Sequence, residues 1–512
     1  MARTRSSLKA DMPYSLWLAR VAAIALGAAL PLAFAPFDLW WIAPISLAGL
    51  FGLWRDASPR EAWHLGYAFG LGMFSVGVSW IFVSMHHFGE AIVPVAGLIT
   101  FVFAAVMAVF PALAGYLAAR LSPEHSAARI LIAMPLAWML LELIRGEFLG
   151  GFPWLNLGAS QINSALAGYG PVFGEYGMSL AVVMTAALLV MLFSRRAWWL
   201  TTLTLFTGLA LWLGGSTLRN IDWVEAAGEP ISVAIVQGNV EQSRKFDPQI
   251  FQATLDLYRN LTDTQAADAK LVVWPETAVP DTVEQAAPFL IEMQDTARAR
   301  GQQIVAGVFD QDQAGNYYNA LLTLPVEGGR YYKRHLVPFG EYLPLRFLIE
   351  PFRGLIQVPM SDLTSGRDDQ PLLQLAGHPV GASICYEATL ARKINTALPE
   401  AAFLLNASND AWFGDSLAPH QHQQIAAMRC LESGRWMVRA TNTGISALID
   451  PQGQVVARTP QFAQAVLRGQ ITPMQGSTPF VLWGAWPIWI LSIFGLLALA
   501  LATYITAERR RR

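Results

Sequence analysis

Gly381-Ala382-Ser383-Ile384-Cys385-Tyr386-Glu387 is the stretch on which the reading of this chain turns. A β-like run of small and apolar residues ends on a cysteine, where the chain gives way to helical sequence. Two other stretches repeat the arrangement: Leu271-Val272-Val273 leads to Trp274-Pro275-Glu276, and Gly329-Arg330-Tyr331-Tyr332 leads to Lys333. Reactive side chains just past strand ends fit the rule that α/β sites form beyond the carboxyl edge of a sheet. A thiol, a base for it and a cation for the oxyanion are the parts of acyl transfer through a thioester. A helix N-terminus after Cys385 would favour thiolate and could offer backbone N–H groups to an oxyanion.

Outward from these stretches, residues 220–478 have ordinary soluble composition and a length suited to one domain. Strand-like runs at 231–236 and 271–274 enclose a helical pattern at 248–261. A helix at 283–300 precedes a strand at 303–309, and 317–324 and 330–334 read as a hairpin across Glu327-Gly328-Gly329. Strands at 372–375 and 380–385 flank Gly377-His378. A strand at 403–406 precedes a helix at 418–435, and 445–449 pairs with 455–458 across Pro451-Gln452-Gly453. Crossovers mixed with hairpins predict an α/β domain of layered sheets covered by helices.

The rest of the chain is apolar. Hydrophobic residues make up 54% of the 512 and charged ones 14%, with a mean hydropathy of +0.37, too apolar for an ordinary soluble protein. A net charge of -2 argues against a nucleic-acid partner. Eight runs approach the 20 or so residues a bilayer requires, at about 16–35, 38–54, 63–84, 91–119, 127–145, 174–193, 197–216 and 480–505. Many of the 18 tryptophans stand near the ends of these runs, at headgroup depth (Trp40, Trp41, Trp54, Trp63, Trp198, Trp199, Trp483, Trp486). The first run is followed by more spans, unlike a cleavable signal peptide. Domains are therefore expected at 1–216 (a transmembrane bundle of about seven helices), 217–479 (catalytic) and 480–512 (a C-terminal transmembrane helix and basic tail).

Basic residues set the expected orientation. Arg3, Arg5 and Lys9, Arg55 and Arg60, Arg120 and Arg129, Arg195 and Arg196, and Arg509 to Arg512 all fall on one side if both termini are cytoplasmic. The catalytic region then lies outside, in the periplasm of a Gram-negative cell. Within the spans, Glu142 and Arg145 stand three apart on one helix, as an interfacial pair or a contact to a lipid headgroup. Gly66-x-x-x-Gly70 has the form of a close helix contact, although glycines are common in such spans.

Glu276, Lys333 and Cys385, in that order, resemble the Glu-Lys-Cys triad of the nitrilase superfamily. The likeness goes further. Val236-Gln237-Gly238-Asn239, Trp274-Pro275-Glu276-Thr277 and Tyr331-Tyr332-Lys333-Arg334-His335-Leu336-Val337-Pro338-Phe339-Gly340-Glu341 resemble the apolipoprotein N-acyltransferase family. So do Cys385-Tyr386-Glu387, Asn406-Ala407-Ser408-Asn409-Asp410-Ala411-Trp412-Phe413-Gly414 and, in the membrane part, Gly151-Phe152-Pro153-Trp154. One departure is Phe246, in Ser243-Arg244-Lys245-Phe246-Asp247-Pro248, where relatives often carry tryptophan; stacking is the role implied there. The resemblance implies a nitrilase-like α-β-β-α sandwich outside the membrane, closed by the C-terminal transmembrane helix. It also implies a reaction: an acyl chain leaves a phospholipid, usually the sn-1 chain of phosphatidylethanolamine, is held as a thioester, and passes to the α-amine of the diacylglyceryl-cysteine of an apolipoprotein. The location implied is the inner membrane, and no cofactor or metal is expected.

In that frame Cys385 is the nucleophile and Glu276 the general base. Lys333 faces the tetrahedral oxyanion, with the Tyr386 backbone N–H as second donor. Glu341 and Glu387 orient Lys333 or the acceptor amine. Trp412 and Phe413 line an acyl channel or pack the core. Each has an ordinary alternative: a lone cysteine is usually a small core residue, a strand-end glutamate can be structural, and Lys333 beside Arg334 and His335 could be surface. The other cysteine, Cys430 in Met428-Arg429-Cys430-Leu431-Glu432, reads as helix packing. His420 and His422 have no third ligand spaced to make a metal site. The apolar run 343–358, with Phe347, Leu348, Ile349 and Phe352 among Arg346 and Arg353, reads as a lid entering the acyl layer or as buried core. The rival functions are a membrane-anchored amidase or nitrilase-type hydrolase, for which eight spans are excessive, and a receptor or transporter, which the intact triad opposes.

Overall fold

The structure, a computed structural model, describes residues 12–124, 126–194, 197–338, 340–342 and 362–511. The lid expected at Phe347, Leu348, Ile349 and Phe352 lies outside the described residues. The chain divides into two compact units. One holds Trp80–Ala96 and Ile221–Gly484; the other holds the remaining described residues.

The helical unit is less uniform than eight equal spans. Each apolar run has a helix, yet among the described residues only Leu16–Ala33, Val93–Leu121, Ala165–Leu192 and Trp486–Arg509 are long and apolar enough to cross a bilayer by themselves. Pro59–Gly77 and Trp80–Phe88 make a further span only together, bent by 50°. Ile42–Trp54 has 13 residues, short of the roughly 20 that span a hydrocarbon core, and Met134–Glu147, with 14, approaches that length only with the π-helix Arg129–Ala133 that runs into it. Hydropathy cannot distinguish one continuous helix from two joined by a break.

Local signals account for the helix ends. Ser58 and Glu61 close a capping box, the Ser58 N–H donating to Glu61 Oε2 at 2.8 Å, with Pro59 at the first helical position. Further along this helix, a Cβ on Gly66 would stand 2.4 Å from the Pro111 carbonyl oxygen, and one on Gly70 2.6 Å from Ala108 Cα. The Gly-x-x-x-Gly pattern is thus a close helix crossing. Buried Arg129 donates to the carbonyls of Arg55, Ala57, Ala119 and Ser122 at 2.8–3.2 Å, satisfying the ends of two helices. Arg145 donates to the Phe152 carbonyl and to Asn156 Oδ1, at 2.9 and 2.8 Å, and so fixes the loop after its own helix.

The other unit is an α-β-β-α sandwich. The first sheet runs Ala465–Ile471, Ile231–Gln237, Leu271–Val273, Gln303–Gln311, Tyr317–Leu324, Arg330–Tyr332, with Val279–Thr282 beside Gln303–Gln311. The second runs Val455–Arg458, Ala447–Ile449, Met437–Thr441, Phe403–Ser408, His378–Ile384, Leu373–Leu375. The middle strands of both are parallel. Alternation sorts their side chains. Val233, Ile235, Leu271 and Val273 enter the core between the sheets with Val380, Ile384, Leu405 and Val438. Ala234, Val236, Val272 and Trp274 point the other way, against Leu255, Tyr258, Phe289 and Met293 of helices Pro248–Gln265 and Ala287–Arg300. Strands buried on both faces carry the continuous apolar runs seen in the sequence. Helix Ala418–Ser433 covers the second sheet, where its His422 meets Arg439 of Met437–Thr441 at 3.1 Å.

Trp80–Ala96 belongs to this unit. Ser84 Oγ donates to the Trp412 carbonyl at 2.8 Å, and the Trp80 and Phe413 rings meet edge to face at 5.0 Å. Part of an apolar run read as membrane span therefore packs against the turn Asp410–Phe413.

Candidate active site

The parallel strands deliver the reactive groups to one end of the sandwich. Trp274 N–H donates to the Val305 carbonyl at 2.8 Å, so the ladder continues one residue past Leu271–Val273 before the chain turns at Pro275. That turn lies on Gly307, where a Cβ would come within 2.2 Å of the Pro275 carbonyl oxygen. Glu276 follows, and Thr277 takes a left-handed φ of 49°. Lys333 stands at the end of Arg330–Tyr332, its N–H on the Asn319 carbonyl at 2.9 Å. Cys385 directly follows His378–Ile384 and also has a left-handed φ, of 52°. A non-glycine residue held there costs of order 1–3 kcal/mol and persists only where its surroundings fix it. Two side chains do so, with His422 Nε2 3.2 Å and Asn406 Nδ2 3.4 Å from the Cys385 carbonyl oxygen.

Lys333 is buried and its ammonium contacts two carboxylates, Glu341 Oε1 at 2.7 Å and Glu276 Oε1 at 3.3 Å. Burial alone would lower its pKa, but Glu276 and Glu341 outweigh that and hold it above the ordinary lysine value, so the cation persists. Glu276 Oε1 also accepts from Asn319 Nδ2 at 2.7 Å, while Oε2 is buried with no hydrogen-bond partner among the described residues. Burial pushes the Cys385 thiol up to about 12, Glu276 adding to the rise and Lys333 opposing it. The sulfur therefore rests as a thiol at neutral pH and must give up its proton as it attacks.

The three carboxylates named from sequence do separate jobs. Glu341 touches Lys333, and its Oε2 accepts from the Val337 N–H at 2.9 Å. Glu387 is fully buried and joins two turns. Its oxygens accept from the N–H groups of Arg334 and His335, at 2.7 and 2.9 Å, and from Ile384 N–H and Tyr331 O–H, at 2.7 and 2.8 Å. Tyr386 stacks on His335 at 5.9 Å. Trp412 lies against Phe88 at 5.9 Å. Phe246 is 42% exposed and tilts toward Phe309 at 6.2 Å, which leaves it free to meet a ligand.

Several residues at the site went unnoticed in the sequence. Asn319 had a signal, a polar residue facing the same way as Leu321 in an apolar strand. Asp410, Arg439 and His422 form a buried cluster behind Cys385: Arg439 Nη2 is 2.9 Å from Asp410 Oδ2, and His422 Nδ1 is 2.9 Å from Asp410 Oδ1. Nothing in spacing links residues so far apart. Lys245, in a polar stretch, reads as surface but is buried, with its ammonium 3.1 Å from the Glu276 carbonyl oxygen. Among the described residues no cluster of His, Cys, Asp and Glu could hold a metal ion.

A two-sheet sandwich with a thiol, a carboxylate and an ammonium at one end is the architecture of the carbon–nitrogen hydrolase class, whose sequence pattern matches residues 232–479. The pattern of the apolipoprotein N-acyltransferase N-terminal domain matches residues 26–188. An apolipoprotein N-acyltransferase of Methylococcus capsulatus is 46% identical over 474 residues, 92% of this chain and 93% of the relative. Those of Azotobacter vinelandii and Pseudomonas aeruginosa are 44% and 41% identical, each over 97% of this chain and 96% and 98% of the relative. The chain belongs to the apolipoprotein N-acyltransferase family. It is an acyltransferase enzyme and a multi-pass membrane protein, and the amidase alternative gives way.

Proposed function

We propose that the chain transfers an acyl chain from phosphatidylethanolamine, through a thioester on Cys385, to the α-amine of the diacylglyceryl-cysteine of apolipoproteins, the last step of lipoprotein maturation. The observation that carries the reading is the convergence on Glu276: Lys333 lies 3.3 Å from one carboxylate oxygen, the other has no partner among the described residues, and the Cys385 thiol lies within the field of both groups. Glu276 takes the thiol proton as sulfur attacks the ester carbonyl. Lys333 and the Tyr386 N–H face the oxyanion. The C–O bond then breaks, the proton passes from Glu276 to the departing lysophospholipid oxygen, and the acyl group stays on sulfur. In the second half the amine attacks the thioester, Glu276 accepts its proton, the C–S bond breaks, and the proton returns to the thiolate.

Orientation is part of the same proposal. Residues 1–216, apart from Trp80–Ala96, form the transmembrane bundle, 217–479 the periplasmic catalytic domain and 480–512 the closing helix, with both termini cytoplasmic in the inner membrane of a Gram-negative cell. Supporting this are Arg55 and Arg60, Arg120 and Arg129, and the terminal arginines, which share one side if each of the eight apolar runs crosses the membrane. The full chain in detergent is given phosphatidylethanolamine labelled in the sn-1 chain, then a diacylated lipopeptide. Label on Cys385, sensitive to hydroxylamine and chased into amide on the lipopeptide, is the expected result. Release of free fatty acid without a thioester would overturn the reading.

A further inference from the structure

Lys245 has no part in the mechanism so far, yet it is placed at its centre. The residue is 2% exposed, and among the described residues the one hydrogen-bond partner of its ammonium is the Glu276 carbonyl oxygen, at 3.1 Å. Lysine is almost never fully buried unless its charge is matched, and a single carbonyl does not match it. The charges that face it are those of Glu276 and Cys385.

The local charge count explains why a second lysine is there. Lys333 already serves two carboxylates, Glu276 and Glu341. Those three groups alone carry a net negative charge, into which Cys385 would have to release another. With Lys245 the two cations balance these two carboxylates, while Glu387 faces Arg334 and Asp410 faces Arg439, so the thiolate or oxyanion forms in a neutral setting. The contact is also mechanical: it holds the carbonyl of the residue that supplies the base, just before the left-handed Thr277.

We propose that Lys245 is a positioning residue of the acyl-transfer reaction, clamping the Glu276 main chain and supplying the second positive charge that the Cys385 sulfur requires as it ionises. The proposal rests on Cys385 and Glu276 being nucleophile and base. Burial lowers the Lys245 pKa to about 8, with Glu276 and Cys385 opposing, so the ammonium is present at neutral pH and is lost just above it.

The test is the pH profile of Cys385 alkylation by iodoacetamide in the full chain in detergent, with thermal unfolding of each variant alongside. Lys245→Gln keeps a donor for the carbonyl but no charge; Lys245→Arg keeps the charge. At pH 7 the Gln variant should be alkylated at least about tenfold more slowly than the parent, and the Arg variant less than about threefold more slowly. The gap between parent and Gln variant should close as pH rises through the Lys245 pKa of about 8, where the parent loses the charge, and the gap between the Arg and Gln variants should stay open. An unchanged rate in the Gln variant at pH 7, or an equal loss in both variants, would overturn the proposal; if the Arg variant fails to fold, the Gln result decides alone. Cys385→Ala separates this from the underlying reading: it should form no acyl-enzyme from labelled phosphatidylethanolamine, and label retained there refutes the nucleophile assignment whatever the Lys245 variants show.

Discussion

Replacing Glu387 by glutamine should loosen the site without touching a reacting atom. The carboxylate accepts from Arg334 N–H and His335 N–H on one oxygen, and from Ile384 N–H and Tyr331 O–H on the other. In Glu387→Gln one oxygen still takes two N–H donors. The new amide group meets the remaining pair. The Tyr331 hydroxyl can rotate and accept from it; the Ile384 N–H cannot. One buried donor is therefore left unmet, at about 1–3 kcal/mol. Glu387→Ala strands three backbone donors, about 3–9 kcal/mol on the same scale, comparable with the whole stability of a domain. The donors adjoin Lys333 on one turn and Cys385 on the other, so the loss also lets cation and thiol drift apart. A misplacement of about 1 Å can cost about 10²-fold in rate. Denaturant unfolding of the full chain in detergent, run beside the rate of thioester formation, measures both effects. A Gln variant that unfolds like the parent yet forms no thioester would refute the reasoning, because Glu387 would then act on the chemistry itself.

Cys385→Ala and Cys385→Ser should fold and insert but form no acyl-enzyme, read by labelled phospholipid; label retained on the alanine variant sinks the nucleophile. Glu276→Gln and Lys333→Ala should each slow thioester formation itself by at least about 10²-fold, and a variant that forms thioester normally but fails only with the amine acceptor contradicts its role. Reporter fusions near residues 57 and 122 and at the C-terminus should read cytoplasmic and one near residue 250 periplasmic, and the reverse at 250 overturns the topology. Although burial pulls upward, Arg439 and His422 hold the Asp410 carboxyl below the ordinary range. Its contribution is complete above the unfolded value near about 4 and is lost as pH falls through and below it. The stability gap between parent and Asp410→Asn should therefore shrink below about pH 4, and a gap constant with pH excludes this.

Much of the sandwich was legible because strands buried on both faces carry unbroken apolar runs, as in Leu271-Val272-Val273, and because Gly and Pro mark their ends. The membrane unit was legible as apolar but not in its breaks: the 50° bend after Gly77 divides a run that hydropathy reads as one span. The site was legible where a reactive side chain closes a strand. Lys245 and the Asp410–Arg439–His422 cluster were not, since their significance comes from burial and from contacts between distant segments, which a linear pattern does not encode.

Counting ligands separates Glu276, read as the base, from Glu341 and Glu387, whose roles the sequence left open. Glu341 has Lys333 on one oxygen and the Val337 N–H on the other. Glu387 has four donors on its two oxygens. A carboxylate so occupied cannot take a proton without breaking a bond that holds Lys333 or the Cys385 turn. Glu276 differs: Asn319 and Lys333 share Oε1, and Oε2 is buried without a partner among the described residues. An unmet buried oxygen costs free energy in the resting protein, and a proton arriving from the Cys385 thiol would relieve that cost. The thiol, raised to about 12, holds its proton until a transfer of this kind becomes available. On the proposed mechanism the base is thus distinguished from its two neighbours by an oxygen without a partner among the described residues, and the reaction would begin by filling it.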